Sequence, residues 1–317
     1  MEMDENRDIV IVGGGPSGLA AAIYAGRARF KTVILEKMML GGQVALTNDI
    51  ANYPGFPDGV AGPELTELME KQARKFGAEI RLEEVVSVSL DGDIKIVATT
   101  AGNAYRAPVV ILSSGADPRK LECPGEEELR GRGVSYCATC DGPFFRNKVV
   151  TVIGGGDAAL KEGLFLTKFA SRVILVHRRQ GFRAEKIYVE EARQNPKFEF
   201  VLDAVVKEIQ GGDKVKNILV ENVITKTQTG IPCDGVFIFV GHLPNSGMAS
   251  KIVETDPAGH VATNRDMETK IPGLYAIGDL RQGSYRQIAT GVGEGVTAAM
   301  HAERRIDEWI RTGVWSH

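Results

Sequence analysis

The sequence predicts an α/β protein made of two Rossmann-like dinucleotide-binding domains, of the three-layer ββα type, with the second inserted into the first. Three observations predict it. A strand pattern runs into Gly13-Gly14-Gly15-Pro16-Ser17-Gly18 and then into a helix pattern. The same order recurs at Gly154-Gly155-Gly156-Asp157-Ala158-Ala159. A third glycine element, Thr269 to Asp279, follows the second copy and finds no counterpart within it. It is therefore expected to return to the first domain. The expected boundaries are 1–116 with 245–317 for the first domain and 117–244 for the second, with crossing segments near 114–120 and 242–248.

A chain of 317 residues holds about two domains. Hydrophobic residues make up 43% and charged residues 25%, so each domain can bury a core of ordinary composition. The net charge of −3 gives no general pull toward nucleic acid or anionic membrane, and neither is expected as a partner. The longest apolar runs, such as Val236 to Val240, are strand-length and too short to span a bilayer. Met1 to Asn6 is acidic and polar, unlike a secretory leader, so a cytoplasmic location is expected.

In the first copy, Asp8 to Val12 reads as a fully buried strand and Leu19 to Ala25 as a helix. Gly13 allows a tight turn, Gly15 lets a pyrophosphate approach the backbone, and Gly18 lets helix and strand pack closely. The helix N-terminus faces the phosphates. The next strand, Thr32 to Leu35, ends in Glu36, where a carboxylate can take a ribose diol. Gly41-Gly42-Gln43 and Asn52 to Phe56 read as loops, and Pro63 to Phe76 as an amphipathic helix. Residues 79–112 alternate like short strands, closing at Val109 to Leu112 and Ser113-Ser114-Gly115.

In the second copy, Val149 to Ile153 is the strand and Val173 to Val176 the next one. The latter ends in His177-Arg178-Arg179, with Arg183 one turn on. Arginine forks clamp a 2′-phosphate, so this copy is expected to take NADPH in preference to NADH. Gly235 to Gly241 echoes Val109 to Gly115, completing an internal repeat. In the closing element, Asp279 can bind a ribityl or ribose hydroxyl, and the helix is expected over Gly291 to Trp309.

Between the copies lies Cys137-Ala138-Thr139-Cys140-Asp141-Gly142. Two residues between sulfurs suit a small disulfide ring or a helix N-terminus, where a thiolate is stabilised. The same spacing also fits half of a zinc knuckle or two buried thiols. Zinc needs two more ligands at short spacing, whereas Cys123 and Cys233 each stand alone and the five histidines form no cluster, so no metal is expected. Asp141 can exchange a proton with the dithiol if burial raises its pKa, or can simply form an Asp-Gly turn.

In combination these motifs resemble the low-molecular-weight thioredoxin reductases, the bacterial and archaeal flavoprotein type, from Asp8 to about Asp307. The resemblance implies FAD on the first domain, with Gly13, Gly15, Gly18, Glu36, Gly42, Gln43, Asn52, Gly115, Gly278, Asp279, Arg286, Gln287 and Ile288 as its contacts. It implies NADPH on the second, with Gly154, Gly156, Asp157, Ala159, His177, Arg178, Arg179, Arg183 and Gly241. Cys140 then faces the flavin, Cys137 attacks the protein substrate, and Asp141 handles the dithiol proton. It further implies a homodimer and a thioredoxin-like or glutaredoxin-like partner. The chain departs from the family pattern at Ile288, where alanine is common, at Ser113-Ser114, and at Lys161 in the second helix.

Three other activities share parts of this pattern. A flavin-dependent dithiol oxidase needs no arginine cluster. The flavoprotein reductase of a peroxiredoxin system normally carries an added N-terminal thioredoxin-like region. A dinucleotide-binding redox sensor has no use for Cys-x-x-Cys-Asp.

Overall fold

The computed structural model describes residues 4–47 and 50–312; residues 1–3 of the polar N-terminus, and the expected domain ends at 1 and 317, lie outside them. The chain divides into two compact units, one running to Asp117 and resuming at Leu243, the other Pro118–His242.

In the first unit, Ile9–Val12 is the middle strand of a five-stranded parallel sheet. Thr32–Glu36 and Val109–Leu112 flank it, and Glu79–Leu82 and Leu274–Ala276 form the edges. The apolar runs are continuous because both faces are covered. Ile9 and Ile11 pack with Leu19, Ala22 and Ile23 of helix Pro16–Arg27 and with Ala298 and Ala302 of helix Ile288–Thr312. Val10 and Val12 point the other way, onto Val88, Val97 and Tyr105. Those three belong to the antiparallel strands Val85–Asp91, Ile94–Thr99 and Ala104–Ala107. The alternation of one strand thus builds three layers, and each fully buried Val or Ile contributes about 1.5–3 kcal/mol.

Helix Ile288–Thr312 starts ahead of the expected Gly291, because the Gln287 carbonyl already accepts the Gly291 N–H at 3.0 Å. Gly291 and Gly295 bring it against the first helix: a Cβ at either would lie 2.3 Å from an atom of Ser17.

The second unit repeats the plan. Val149–Gly154 is the middle strand, flanked by Arg172–Val176 and Gly235–Phe239, with Phe198–Val201 and Val134–Ser135 at the edges. Val150 and Val152 pack with Ala159, Leu160 and Leu166 on the helix side. Ile153 and Val176 pack on the other side with Ile209, Ile218 and Val220 from the antiparallel strands Ala204–Gly211 and Val215–Asn222, to which Gln228–Pro232 adds a third. The closing element does have a counterpart here, contrary to the sequence reading. Leu274 pairs with Val110 on one edge, and Val134 pairs with Val236 on the matching edge. A two-residue strand carries too little pattern to be seen in sequence. Among the described residues, no helix is long and apolar enough to cross a membrane.

Candidate active site and dinucleotide cradles

In the first unit the glycines of the fingerprint divide by what surrounds them. Gly13 has φ +105°, and a Cβ there would lie 2.3 Å from the Ser113 carbonyl oxygen. A Cβ on Gly18 would lie 2.2 Å from the Gly13 carbonyl oxygen. Gly15 has an ordinary φ of −71°, and a Cβ there would meet nothing within 4 Å. Neither backbone nor packing requires that glycine, and it leaves open space at the helix N-terminus. The Glu36 carboxylate accepts the Gly14 N–H at 2.8 Å and the Met38 N–H at 3.1 Å. Gly41 N–H donates to Gly14 at 2.8 Å, which lays Gly42 against Gly15.

The remaining expected contacts of this unit lie on three further segments. Gln43 Nε2 donates to Asp117 at 2.8 Å, beyond Gly115, whose φ is +68°. Ser114 Oγ donates to the Asn245 carbonyl at 2.7 Å, and Asn245 Nδ2 to the Ser114 carbonyl at 3.1 Å, tying the two crossing segments together. Asn52 Nδ2 donates to Gln287 at 3.1 Å. Gly278 opens a single 3-10 turn, Gly278–Leu280, and its N–H donates to buried Glu294 at 2.7 Å. The other Glu294 oxygen takes Arg281 at 2.7 Å. Burial pushes the Asp279 carboxyl up from its ordinary value, and Arg286 pulls it the other way. Ile288 heads the last helix, half-buried against the core.

In the second unit Gly154 has φ +154°, and a Cβ there would lie 2.5 Å from the Phe239 carbonyl oxygen. Ala159, in place of a glycine, is fully buried. Gly156 repeats Gly15, with φ −104° and nothing within 4 Å of a Cβ. The far end of the loop after Arg172–Val176 is tied back to this fingerprint by two bonds. Arg183 N–H donates to the Gly155 carbonyl at 2.9 Å, and Asp157 accepts the Glu185 N–H at 2.8 Å. The His177 ring is buried over Gly155, stacked on Phe182 at 5.3 Å, with Nε2 3.2 Å from the Gly181 carbonyl. His177 therefore shapes the loop, while Arg178, Arg179 and Arg183 on it are exposed. Gly241 is also exposed, with φ +118°. Three exposed arginines on one loop supply guanidinium groups of the kind that pair with a phosphate.

The edge strand Val134–Ser135 delivers Cys137 to the N-cap of the short helix Ala138–Asp141. Cys137 and Cys140 form a disulfide, both residues half-buried. The Cys140 N–H donates to Cys137 Sγ at 3.1 Å, so this sulfur already has a donor for negative charge. Burial pushes the Asp141 carboxyl up from its ordinary value, against a hydrogen bond from the Ser135 hydroxyl. Cys123 and Cys233 are free, and burial pushes both thiols up to about 11, which keeps them protonated at neutral pH. Among the described residues, no group of three His, Cys, Asp or Glu could hold a metal ion. Ser135, Glu294 and Asp117 were not singled out from the sequence, since each acts through a partner distant in the chain or through a backbone turn.

A disulfide in a chain with two glycine fingerprints agrees with a family comparison: residues 7–295 match the model of the pyridine nucleotide-disulphide oxidoreductases. The chain belongs to that family. Among family members, it is 42% identical over 311 residues to the thioredoxin reductase of Peptoclostridium acidaminophilum, covering 96% of this chain and 98% of that one. It is 46% identical over 302 residues to a bifunctional thioredoxin reductase/thioredoxin of Mycobacterium leprae, covering 95% of this chain and 66% of that longer protein. The crystal structure of the thioredoxin reductase of Streptococcus pyogenes superposes with a TM-score of 0.91 at 44% identity, covering 96% of this chain and 100% of that one.

Proposed function

We propose that the protein is a flavoprotein disulfide reductase that passes electrons from NADPH, through FAD and the Cys137–Cys140 disulfide, to oxidised thioredoxin or a thioredoxin-like protein. The observation that carries this reading is a disulfide at a helix N-cap, beside a carboxyl of raised pKa, in the unit that holds the arginine cradle. Gly15 and Gly156 each leave room at a helix N-terminus for a pyrophosphate, which fits FAD on the first unit and NADPH on the second. Glu36 and Asp279 would take ribose and ribityl hydroxyls of FAD; Gly154, Asp157 and the three arginines would hold NADPH.

Bound FAD supplies hydride acceptance from NADPH and two-electron delivery to a disulfide. The chain's own residues do the rest. Breaking the Cys137–Cys140 bond with two electrons leaves two thiolates, of which Cys140 takes up a proton and Cys137 keeps its charge. Asp141, with its raised pKa, gives one and later recovers it. The Cys140 N–H holds charge on Cys137 Sγ, which attacks the partner disulfide and releases one partner sulfur as a thiol. Cys140 then attacks the mixed disulfide, frees the second partner thiol and restores the Cys137–Cys140 bond.

The purified protein is expected to be yellow, to bleach with NADPH and to reduce thioredoxin. Cys137→Ser and Cys140→Ser are expected to keep FAD and lose thioredoxin reduction; near-normal reduction by either variant would sink the assignment. A cytoplasmic homodimer belongs to the same proposal, with a dimer mass by light scattering as its check.

A further inference from the structure

Arg286 lies in the loop between Gly278–Leu280 and helix Ile288–Thr312, with φ +54°. A side chain keeps such a left-handed backbone only where its surroundings hold it. Here Arg286 Nη2 lies 3.1 Å from Nε2 of buried His260. A guanidinium only donates, so His260 Nε2 accepts and the ring proton sits on Nδ1. That Nδ1 faces Asp256 Oδ2 at 3.3 Å. Asp256 is itself fixed, its Oδ1 taking the N–H groups of Ala258 at 2.8 Å and of His260 at 2.9 Å. Ser246 Oγ anchors the same turn through the Gly259 carbonyl at 2.8 Å. A rigid turn thus aims one imidazole lone pair at one guanidinium. The next residue, Gln287, is held by Asn52, and Asp279 lies within the field of Arg286.

We propose that His260 is a positioning residue: oriented by Asp256, its Nε2 aims Arg286 and so fixes the 286–288 segment in the conformation that holds FAD. The inference rests on the proposed FAD site in the first unit.

The test is FAD release from the purified holoenzyme, followed on dilution by the fluorescence of free flavin, with apoprotein melting as a fold control. His260→Phe keeps a ring without an acceptor and is expected to release FAD about tenfold faster, the loss of one charge-assisted bond. His260→Met, which packs without demanding the ring's shape, carries the same expectation should the Phe variant fail to fold. His260→Gln restores an acceptor oxygen and is expected to stay within about twofold of the unmodified protein. In an Arg286→Met background the His260 substitutions are expected to add nothing. Unchanged release from a folded Phe or Met variant overturns the inference. So does a folded Gln variant that behaves like Phe, or an undiminished His260 effect in the Arg286→Met background. Wild-type protein that binds no FAD defeats the functional reading instead.

Discussion

Gly15→Ala and Gly156→Ala separate ligand chemistry from folding. Both positions have ordinary negative φ, and a Cβ at either meets no protein atom within 4 Å. Alanine fits there without strain, and by narrowing the unfolded chain it is expected to stabilise the apoprotein by about 0.4–1 kcal/mol. The methyl group would occupy the space proposed for a pyrophosphate. Displacing the phosphates forfeits at least one charge-assisted backbone hydrogen bond, about 1.5–3 kcal/mol. That predicts a KM for NADPH raised roughly 10- to 100-fold in Gly156→Ala, with kcat retained at saturation and FAD content unchanged. Gly15→Ala is expected to purify with little FAD and a normal apoprotein Tm. Gly154→Ala is the contrast: its Cβ would lie 2.5 Å from the Phe239 carbonyl oxygen and 2.7 Å from Ala159 Cβ, so it is expected to lower the Tm itself. Steady-state kinetics against NADPH, flavin absorbance and calorimetry read all three. A Gly156→Ala enzyme with an unchanged NADPH KM would refute the reasoning, because the open space at that position would then serve no phosphate.

Neutralising Arg178 and Arg179 together is expected to raise the NADPH KM tenfold or more, about 1.4 kcal/mol at least, with little effect on NADH; equal use of both nicotinamides by the unmodified protein would contradict it. Asp141→Asn is expected to cut thioredoxin turnover about a hundredfold while sparing flavin reduction by NADPH. Because the folded Asp141 pKa is raised, its contribution is present in acid and is lost as pH rises through the folded value. Asp141→Asn is therefore expected to gain stability relative to the unmodified protein from acid to neutral pH, and a constant difference in Tm would count against it. Lys95 is 1% exposed, donates to the Asp93 and Pro108 carbonyls, and is pushed down to about 8 by burial. Between pH 8 and the ordinary lysine value the unfolded chain binds more protons, so stability relative to Lys95→Met should rise by up to about 3 kcal/mol. Denaturant titrations that give a flat difference would exclude this.

The strands and the glycine turns that follow them were legible because their signals are local. Ile9–Val12 and Val149–Gly154 are continuous apolar runs, each followed at once by glycines whose spacing matches a helix N-terminus. The arginines follow directly after His177, which stands where Glu36 stands in the other copy. Interactions that close across the chain were not legible. Ser135 reaches Asp141 around a helical turn, Asp117 meets Gln43 across two segments, and His260 meets Arg286 from a separate loop. No periodicity encodes such pairs, because each partner's own segment reads as an ordinary turn. Lys95 was hidden for another reason: its strand alternates like its neighbours, and only the layer packed upon it makes its amine dry.

The matched registers of the two sheets give the dithiol an address. Val10 pairs with Val110 in one sheet as Thr151 pairs with Val236 in the other, which aligns Gly13 with Gly154 and Glu36 with His177. On the same alignment Leu274 stands where Val134 stands. Counted on along the edge strand, Cys137 falls level with Ile277, one residue ahead of Gly278-Asp279. In both units, then, the edge strand carries a short helical turn to the end of the sheet where the fingerprint helix begins. In one unit the turn presents Asp279, and in the other Cys137, Cys140 and Asp141. Open parallel sheets bind their ligands outside the carboxyl ends of the strands. The repeat therefore puts a carboxyl suited to cofactor hydroxyls and a redox disulfide at equivalent positions, and only side-chain chemistry distinguishes the two turns. Insertion of one copy within the other leaves both edge strands free to diverge in this way, because each is contributed by a segment outside its own strand-helix-strand core.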